Sequence, residues 1–218
     1  MRASQPVRGQ SAEDGTVVRR LVKSDRNGSR ARERLRKHYR PDPVRILFVG
    51  ESPPASGRFF YQADSGLYRA VRDTFLTAFP TVKKAEFLDS FRATGSYLVD
   101  LCSEPVNKMT RDARRCACRT GEIRLARMIR ALSPQIIVTI VKSICANVKR
   151  SQDQAAWSGR HIELPYPGRW YRSRMRFSRQ LLHLLRETVG GIKSLPPLPL
   201  RPKEHSPSAR SQTRSAAH

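Results

Sequence analysis

Between two stretches without regular apolar spacing, hydrophobic runs alternate with helical patterns along this chain. Residues 45–49 (RILFV) form a short, mostly apolar run ending at Gly50, which predicts a buried strand. Leu67, Val71, Phe75 and Phe79 then recur every four residues and predict a helix from about Ser65 to Phe79, with Asp64 or Ser65 as its N-cap. Residues 97–101 (YLVDL) read as a second buried strand. Ile123, Ala126, Ile129 and Leu132 stripe a second helix that stops before Pro134, because the residue preceding a proline is pushed out of the helical region. Residues 135–141 (QIIVTIV) are β-branched and continuous and give the clearest strand. A short helix over 143–150, a weaker strand over 161–164 and a final helix over about 171–188 complete the pattern; Met175, Leu181, Leu182 and Leu185 lie in the last of these.

Strands that alternate with helices imply parallel βαβ units, so the expected fold is a three-layer α/β domain: a four-stranded parallel sheet with helices on both faces. Ligands of such sheets bind beyond the carboxyl ends of the strands. Three segments fall there, at 50–61, 100–107 and 165–171, and the topology should bring them together although they are distant in sequence.

Composition adds boundaries and a partner class. Residues 1–40 are rich in Arg, Ser and Gln and read as a basic, largely disordered segment, in which 17–38 could become helical on a polyanion. Residues 191–218, with Pro-Pro and Ser/Arg clusters, read as a disordered tail, leaving 41–190 as the single folded domain. Lys and Arg total 42 against 18 Asp and Glu, for a formal net charge of +24. The N-terminal segment holds 12 basic and 4 acidic residues, and the tail 5 and 1. The remaining 25 and 13 leave a net +12 in the domain itself, where it can form a fixed patch. Phosphate neutralisation with counterion release is the usual physical reason for such a patch, though the codon bias of a GC-rich genome also raises arginine content. No apolar run reaches the length of about 20 residues that spans a bilayer, and no signal-peptide segment follows the basic N-terminus. A cytoplasmic, nucleoid-associated protein is expected, with reduced cysteines at 102, 116, 118 and 145, two of them buried and two on a loop.

Each strand-end segment offers chemistry and also a plainer structural reading. Gly50-Glu51-Ser52-Pro53-Pro54 puts a carboxylate on a loop stiffened by two prolines, with Gly50 free to turn sharply; it also fits a simple strand-to-loop turn with an exposed glutamate. Asp100 sits in an apolar strand, where a carboxylate is costly unless hydrogen-bonded or paired, so it faces a ligand, caps a loop or pairs with an arginine. Residues 164–172 (LPYPGRWYR) interleave aromatics with arginines, a pattern suited to stacking on bases while holding phosphates; Tyr166 and Trp170 fit equally as core anchors beside a solvated arginine face.

With these segments together, residues 44–187 resemble the uracil-DNA glycosylase superfamily. ILFVGESPP is similar to that family's first motif, which leaves strand one as Gly-Glu-x-Pro-Gly or a variant. GRFFYQADSGLYRAV is similar to its aromatic stretch entering the next helix, YLVDLCSEPVN to its base-contacting segment, and LPYPGRWYRSRMRF, by position, to its His-Pro-Ser-type motif. The resemblance implies DNA as partner, a base flipped out of the duplex so that its glycosidic bond becomes reachable, and hydrolysis of that bond in repair. It implies Glu51 as the carboxylate beside the reaction centre, with Gly50, Ser52, Phe60, Asp100 and Tyr166 around the base and Phe60 stacked on it. Arg58, Arg169, Trp170, Tyr171, Arg172 and Arg174 would hold the nucleic acid, with Arg169 to Tyr171 pressing on the duplex. No metal and no cofactor are expected, and the family's usual mode suggests a monomer.

The departures from the family pattern qualify this. Leu164 and Pro165 stand in the region where many members carry the histidine that stabilises the leaving base, and the nearest histidine is His161. Asp100 stands where uracil readers use an asparagine; an ionised aspartate only accepts hydrogen bonds and suits a base that presents an amino group. No cysteine precedes Cys102, so the iron–sulfur cluster of the thermostable branches is not expected, and Cys116-Ala117-Cys118 is too tight for usual zinc spacing. The alternatives are a non-catalytic nucleic-acid-binding member of the same fold and a nucleotide-binding α/β enzyme, the latter without a glycine-rich phosphate loop to support it.

Overall fold

The computed structural model describes residues 28–168 and 170–189. The expectations for residues 1–27, for Arg169 and for the C-terminal tail lie outside the described residues.

A helix over residues 28–38 (α1) leads to strand β1 (Ile46–Gly50). Helices α2 (Gly66–Ala78) and α3 (Phe87–Ala93) follow, then β2 (Ser96–Asp100), α4 (Arg111–Leu132) and β3 (Ile136–Thr139). The described residues close with α5 (Cys145–Ala155), β4 (Arg160–Glu163) and α6 (Tyr171–Val189). The four strands form one sheet in the order β2-β1-β3-β4, and every neighbouring pair is parallel. The protein is an α/β fold, as the alternation of runs predicts.

Chain direction and strand order fix the layers. The crossover from β1 to β2 moves one way across the sheet, and those from β2 to β3 and β3 to β4 move the other way. Right-handed crossovers therefore put α2 and α3 on one face and α4 and α5 on the opposite face. The helix contacts agree: α4 packs on α5, and α2 packs on both α3 and α6.

β1, β2 and β3 are buried along their whole length, which explains why they read as continuous apolar runs without alternation. Beneath α2 and α3 an aromatic cluster of Phe48, Phe60, Tyr68, Phe75, Phe87 and Phe91 fills the core, its neighbouring rings meeting mostly edge-on or tilted. β2 is an edge strand, and Tyr61 closes part of that edge. Its hydroxyl accepts from the Leu98 N–H (2.7 Å) and donates to the Leu98 carbonyl (3.2 Å), satisfying both outward backbone groups. Burial pushes the Tyr61 phenol well above its usual range, because a phenolate there would lose its hydration, and the hydrogen bond with the Leu98 backbone only partly opposes this.

Several expectations need correction. Helix α1 and its buried Arg36 belong to the folded body, so the domain starts before residue 41 and includes part of the segment assigned to 1–40. Ser65, not Asp64, caps α2 by accepting from the Tyr68 N–H at 3.0 Å; the Asp64 carboxylate instead accepts from the Phe59 N–H at 2.7 Å. Ile123 points outward at 56% exposure, because the buried face of α4 runs through Cys118, Gly121, Glu122, Leu125, Ala126 and Ile129. Met175 is likewise exposed, and α6 packs through Phe177, Leu181, Leu184 and Leu185. Of the cysteines, Cys102 and Cys118 are buried, but Cys116 lies exposed on α4 and Cys145 opens α5, so neither is on a loop.

Candidate functional site

The sheet order places its switch point between β1 and β3, where the chain leaves toward opposite edges. A cavity of about 410 Å³ opens there, within the usual range for ligand pockets. All three strand-end segments contribute to its walls: Gly50 to Pro54 and Phe60 from the first, Asp100 and Asn107 from the second, Tyr166 from the third. The first two are tied together. The Ala55 N–H donates to Asn107 Oδ1 at 3.1 Å and the Val106 N–H to Ser52 Oγ at 3.3 Å. Beyond the strand ends the ladder continues, with the Leu101 N–H on the Gly50 carbonyl and the Cys102 N–H on the Glu51 carbonyl, both at 2.8 Å.

Gly50 has a different role from the sharp turn expected of it. It is the last residue of β1, paired in register with Asp100, and a Cβ there would stand 2.9 Å from Asp100 Oδ1. The missing side chain is what lets the aspartate carboxylate lie across the strand end. Asp100 is only 6% exposed and forms an ion pair with Arg36 of α1, whose Nη2 donates at 2.9 Å. Its backbone carbonyl accepts from Arg124 of α4, which also donates to the Leu101 carbonyl at 3.0 Å. Burial pushes the Asp100 carboxyl up, and the Arg36 and Arg124 guanidiniums pull it back. Burial acts to lower the Arg36 pKa, but Asp100 and Glu33 together outweigh it and the group is raised. Of the readings open for Asp100, pairing with an arginine is therefore realised, at the cavity wall.

Glu51 is also paired. Arg114 of α4 grips it with both nitrogens, Nε on Oε1 at 2.6 Å and Nη2 on Oε2 at 2.5 Å. This hydrogen-bonded grip raises the Arg114 pKa. The guanidinium is the more exposed partner and lies on the solvent side of the carboxylate. The plain turn with an exposed glutamate is thus excluded: Glu51 is held in a fixed orientation at the mouth of the cavity. Cys118 and Cys102 lie behind it with their sulfurs 3.8 Å apart; burial pushes the Cys118 thiol up and the Cys102 thiol up to about 12, so both remain thiols.

Phe60 is buried in the aromatic cluster and forms part of the apolar wall together with Phe59 and Leu67. Tyr166, half exposed, also lines the cavity. Tyr166 and Trp170 are 51% and 75% exposed, which excludes the core-anchor reading for both, and Tyr171 is 70% exposed beside them. Arg172 and Arg174 are exposed in the first turns of α6, and Arg58 is exposed on the first loop; none of these lines the cavity. Because β4 is parallel to its neighbours, the segment that follows it emerges at the cavity end of the sheet.

His161 is not in the cavity. Its Nε2 lies 2.9 Å from Thr139 Oγ1 within the sheet, and no histidine lines the walls. Among the described residues no group of three or more His, Cys, Asp or Glu side chains converges as a metal site, and no helix is long and apolar enough to cross a membrane. No family model matches the sequence, and no curated protein matches it.

Three partners escaped the sequence reading: Arg36, Arg114 and Arg124. The demand for a cation was legible at Asp100, but nothing in an arginine-rich chain singles out which one is folded against it. Asn107, from the second strand-end segment, and Leu67, from the first turn of α2, also line the cavity.

Proposed function

We propose that this chain binds DNA and takes a base extruded from the duplex into the cavity between β1 and β3, where Glu51 directs hydrolysis of its N-glycosidic bond. One observation carries the reading: Glu51, Asp100, Phe60 and Tyr166, from three distant segments, line one cavity whose size and mixed apolar and polar walls suit a nucleobase. The exposed Trp170 and Tyr171, followed by Arg172 and Arg174, supply apolar surface and positive charge at the same end of the sheet. An aromatic wedge of this kind offsets an unstacking cost of a few kcal/mol per step.

The chemistry follows from charge. Cleavage of a glycosidic bond builds positive charge on the sugar, and a carboxylate fixed beside it stabilises that charge. Glu51 has the rigidity for this, although Arg114 neutralises much of its field while the pair is intact. In the same cavity Asp100 offers only acceptors, which suits a base with an amino or protonated ring edge.

A second reading has its own support. Both carboxylates are engaged by arginines and no histidine lines the cavity, so the same site also fits a member that binds an extruded base without cleaving it.

Incubation with duplexes carrying uracil, hypoxanthine, xanthine or a mismatch, followed by alkali, separates the two. The catalytic reading predicts strand scission on at least one duplex and a loss on the order of 10²–10³ in rate for Glu51→Gln. Scission on none of them at high protein concentration, with binding intact, rejects catalysis and leaves the binding role.

A further inference from the structure

A second cavity of about 420 Å³ lies beside the first, between α4 and α5. Its walls carry Arg111, Arg114, Arg115, Arg119 and Arg150 against a single carboxylate, that of Glu51. The two cavities share the Glu51–Arg114 pair, so they are contiguous at that point.

This clustering opposes the stability of the helix that bears it. Arg111 and Arg114 fall in the first turn of α4, where the positive end of the helix dipole disfavours cations. Arg111 and Arg115, and Arg115 and Arg119, are spaced i,i+4, where like charges repel. The only acidic residue of that first turn, Asp112, reaches Arg115 at 3.8 Å on the solvent side. Across the cleft Arg150 is held in place: the buried Glu122 accepts from its Nε and Nη2 and from Asn147 Nδ2, at 2.6 to 3.1 Å. One wall is thus a fixed guanidinium braced from behind by a buried carboxylate, and the other is a row of mutually repelling arginines. A local arrangement that costs stability and is braced for geometry is the pattern of a binding site.

We infer that the α4–α5 cleft holds the phosphates of a nucleic-acid strand adjoining the nucleotide whose base enters the first cavity, with Arg114 at the junction. The inference rests on the nucleic-acid reading above. Guanidiniums suit it chemically, since each can grip two phosphate oxygens.

The test is the salt dependence of binding, read by fluorescence anisotropy on a labelled duplex between low and physiological salt. Arg115→Gln/Arg119→Gln neutralises two exposed cleft arginines without touching the Glu51–Arg114 pair. Lys83→Gln/Lys84→Gln removes the same charge between α2 and α3, on the face of the sheet opposite α4 and α5. Each neutralised phosphate contributes about 0.7–0.9 to the slope of log K against log salt. The cleft variant is expected to lose about 1.4–1.8 from that slope while the lysine variant keeps it. If both variants lose equally, or neither loses, the cleft does not hold phosphates, and the first cavity's role stands. If the unaltered protein shows no binding at all, the cleft assignment and the nucleic-acid reading fall together.

Discussion

Arg36 reaches the cavity wall from a helix that precedes the sheet, and its partner Asp100 ends an internal strand. Both side chains are buried, so each is the condition for tolerating the other. Removing one partner strands a charge in the interior. Arg36→Ala is expected to cost about 3–5 kcal/mol in denaturant unfolding, and adding Asp100→Asn should return a large part of that loss. A single-variant loss below about 1 kcal/mol would show that water reaches the pair and that α1 is not part of the cavity's support. At this scale the sequence was informative about need and silent about identity. A carboxylate in YLVDL had to be satisfied, but which arginine arrives depends on how α1 docks. Glu51 is similar: its place after a buried strand was legible, and its bidentate hold by Arg114 was not, because that contact forms only once α4 is laid across the sheet.

Among the elements, those that bury one clean apolar stripe or run were legible: β1, β2, β3, α2 and α6 lie within a few residues of their expected bounds. α3 escaped because seven residues give no periodicity to read. The buried face of α4 escaped because it contains Gly121 and Glu122. A Cβ at Gly121 would stand 2.3 Å from the Leu101 carbonyl oxygen, so the glycine is there for close helix–strand approach, while Glu122 is buried at no great cost because Arg150 and Asn147 satisfy it. β4 is the weakest strand, partly exposed at the sheet edge and joined to β3 through the Thr139–His161 contact. Burial holds the His161 pKa below the ordinary histidine value of 6.5, with Glu163 opposing and Lys149 assisting. The folded protein thus binds that proton less readily than the unfolded chain. The associated stability is present above pH 6.5 and is lost as the pH falls through the lower folded value. Thermal unfolding followed from pH 7.5 to 5 should show a declining midpoint, with a shallower decline in His161→Gln. An unchanged decline in that variant would assign the acid sensitivity to other groups.

For the whole molecule, the parallel sheet turns three unremarkable loops into one site, and its order, with β1 and β3 diverging, decides where that site opens. The net charge of +24 supplies a long-range attraction to polyanions, while the cavity and the arginine cleft give it places to act. Fold class and the meeting of the three segments were readable from strand and helix alternation. The cleft was not, since its arginines come from two helices and look in sequence like any solvated basic face. The most direct measurement of the central claim is the fluorescence of a 2-aminopurine placed at the target position of a duplex, since that base is quenched while stacked. Binding by the unaltered protein should raise the emission, and Leu67→Trp, which fills the cavity from its apolar wall, should bind with little rise. Full binding by anisotropy with no rise for the unaltered protein, or the same rise with the cavity filled, would contradict the claim that an extruded base enters between β1 and β3.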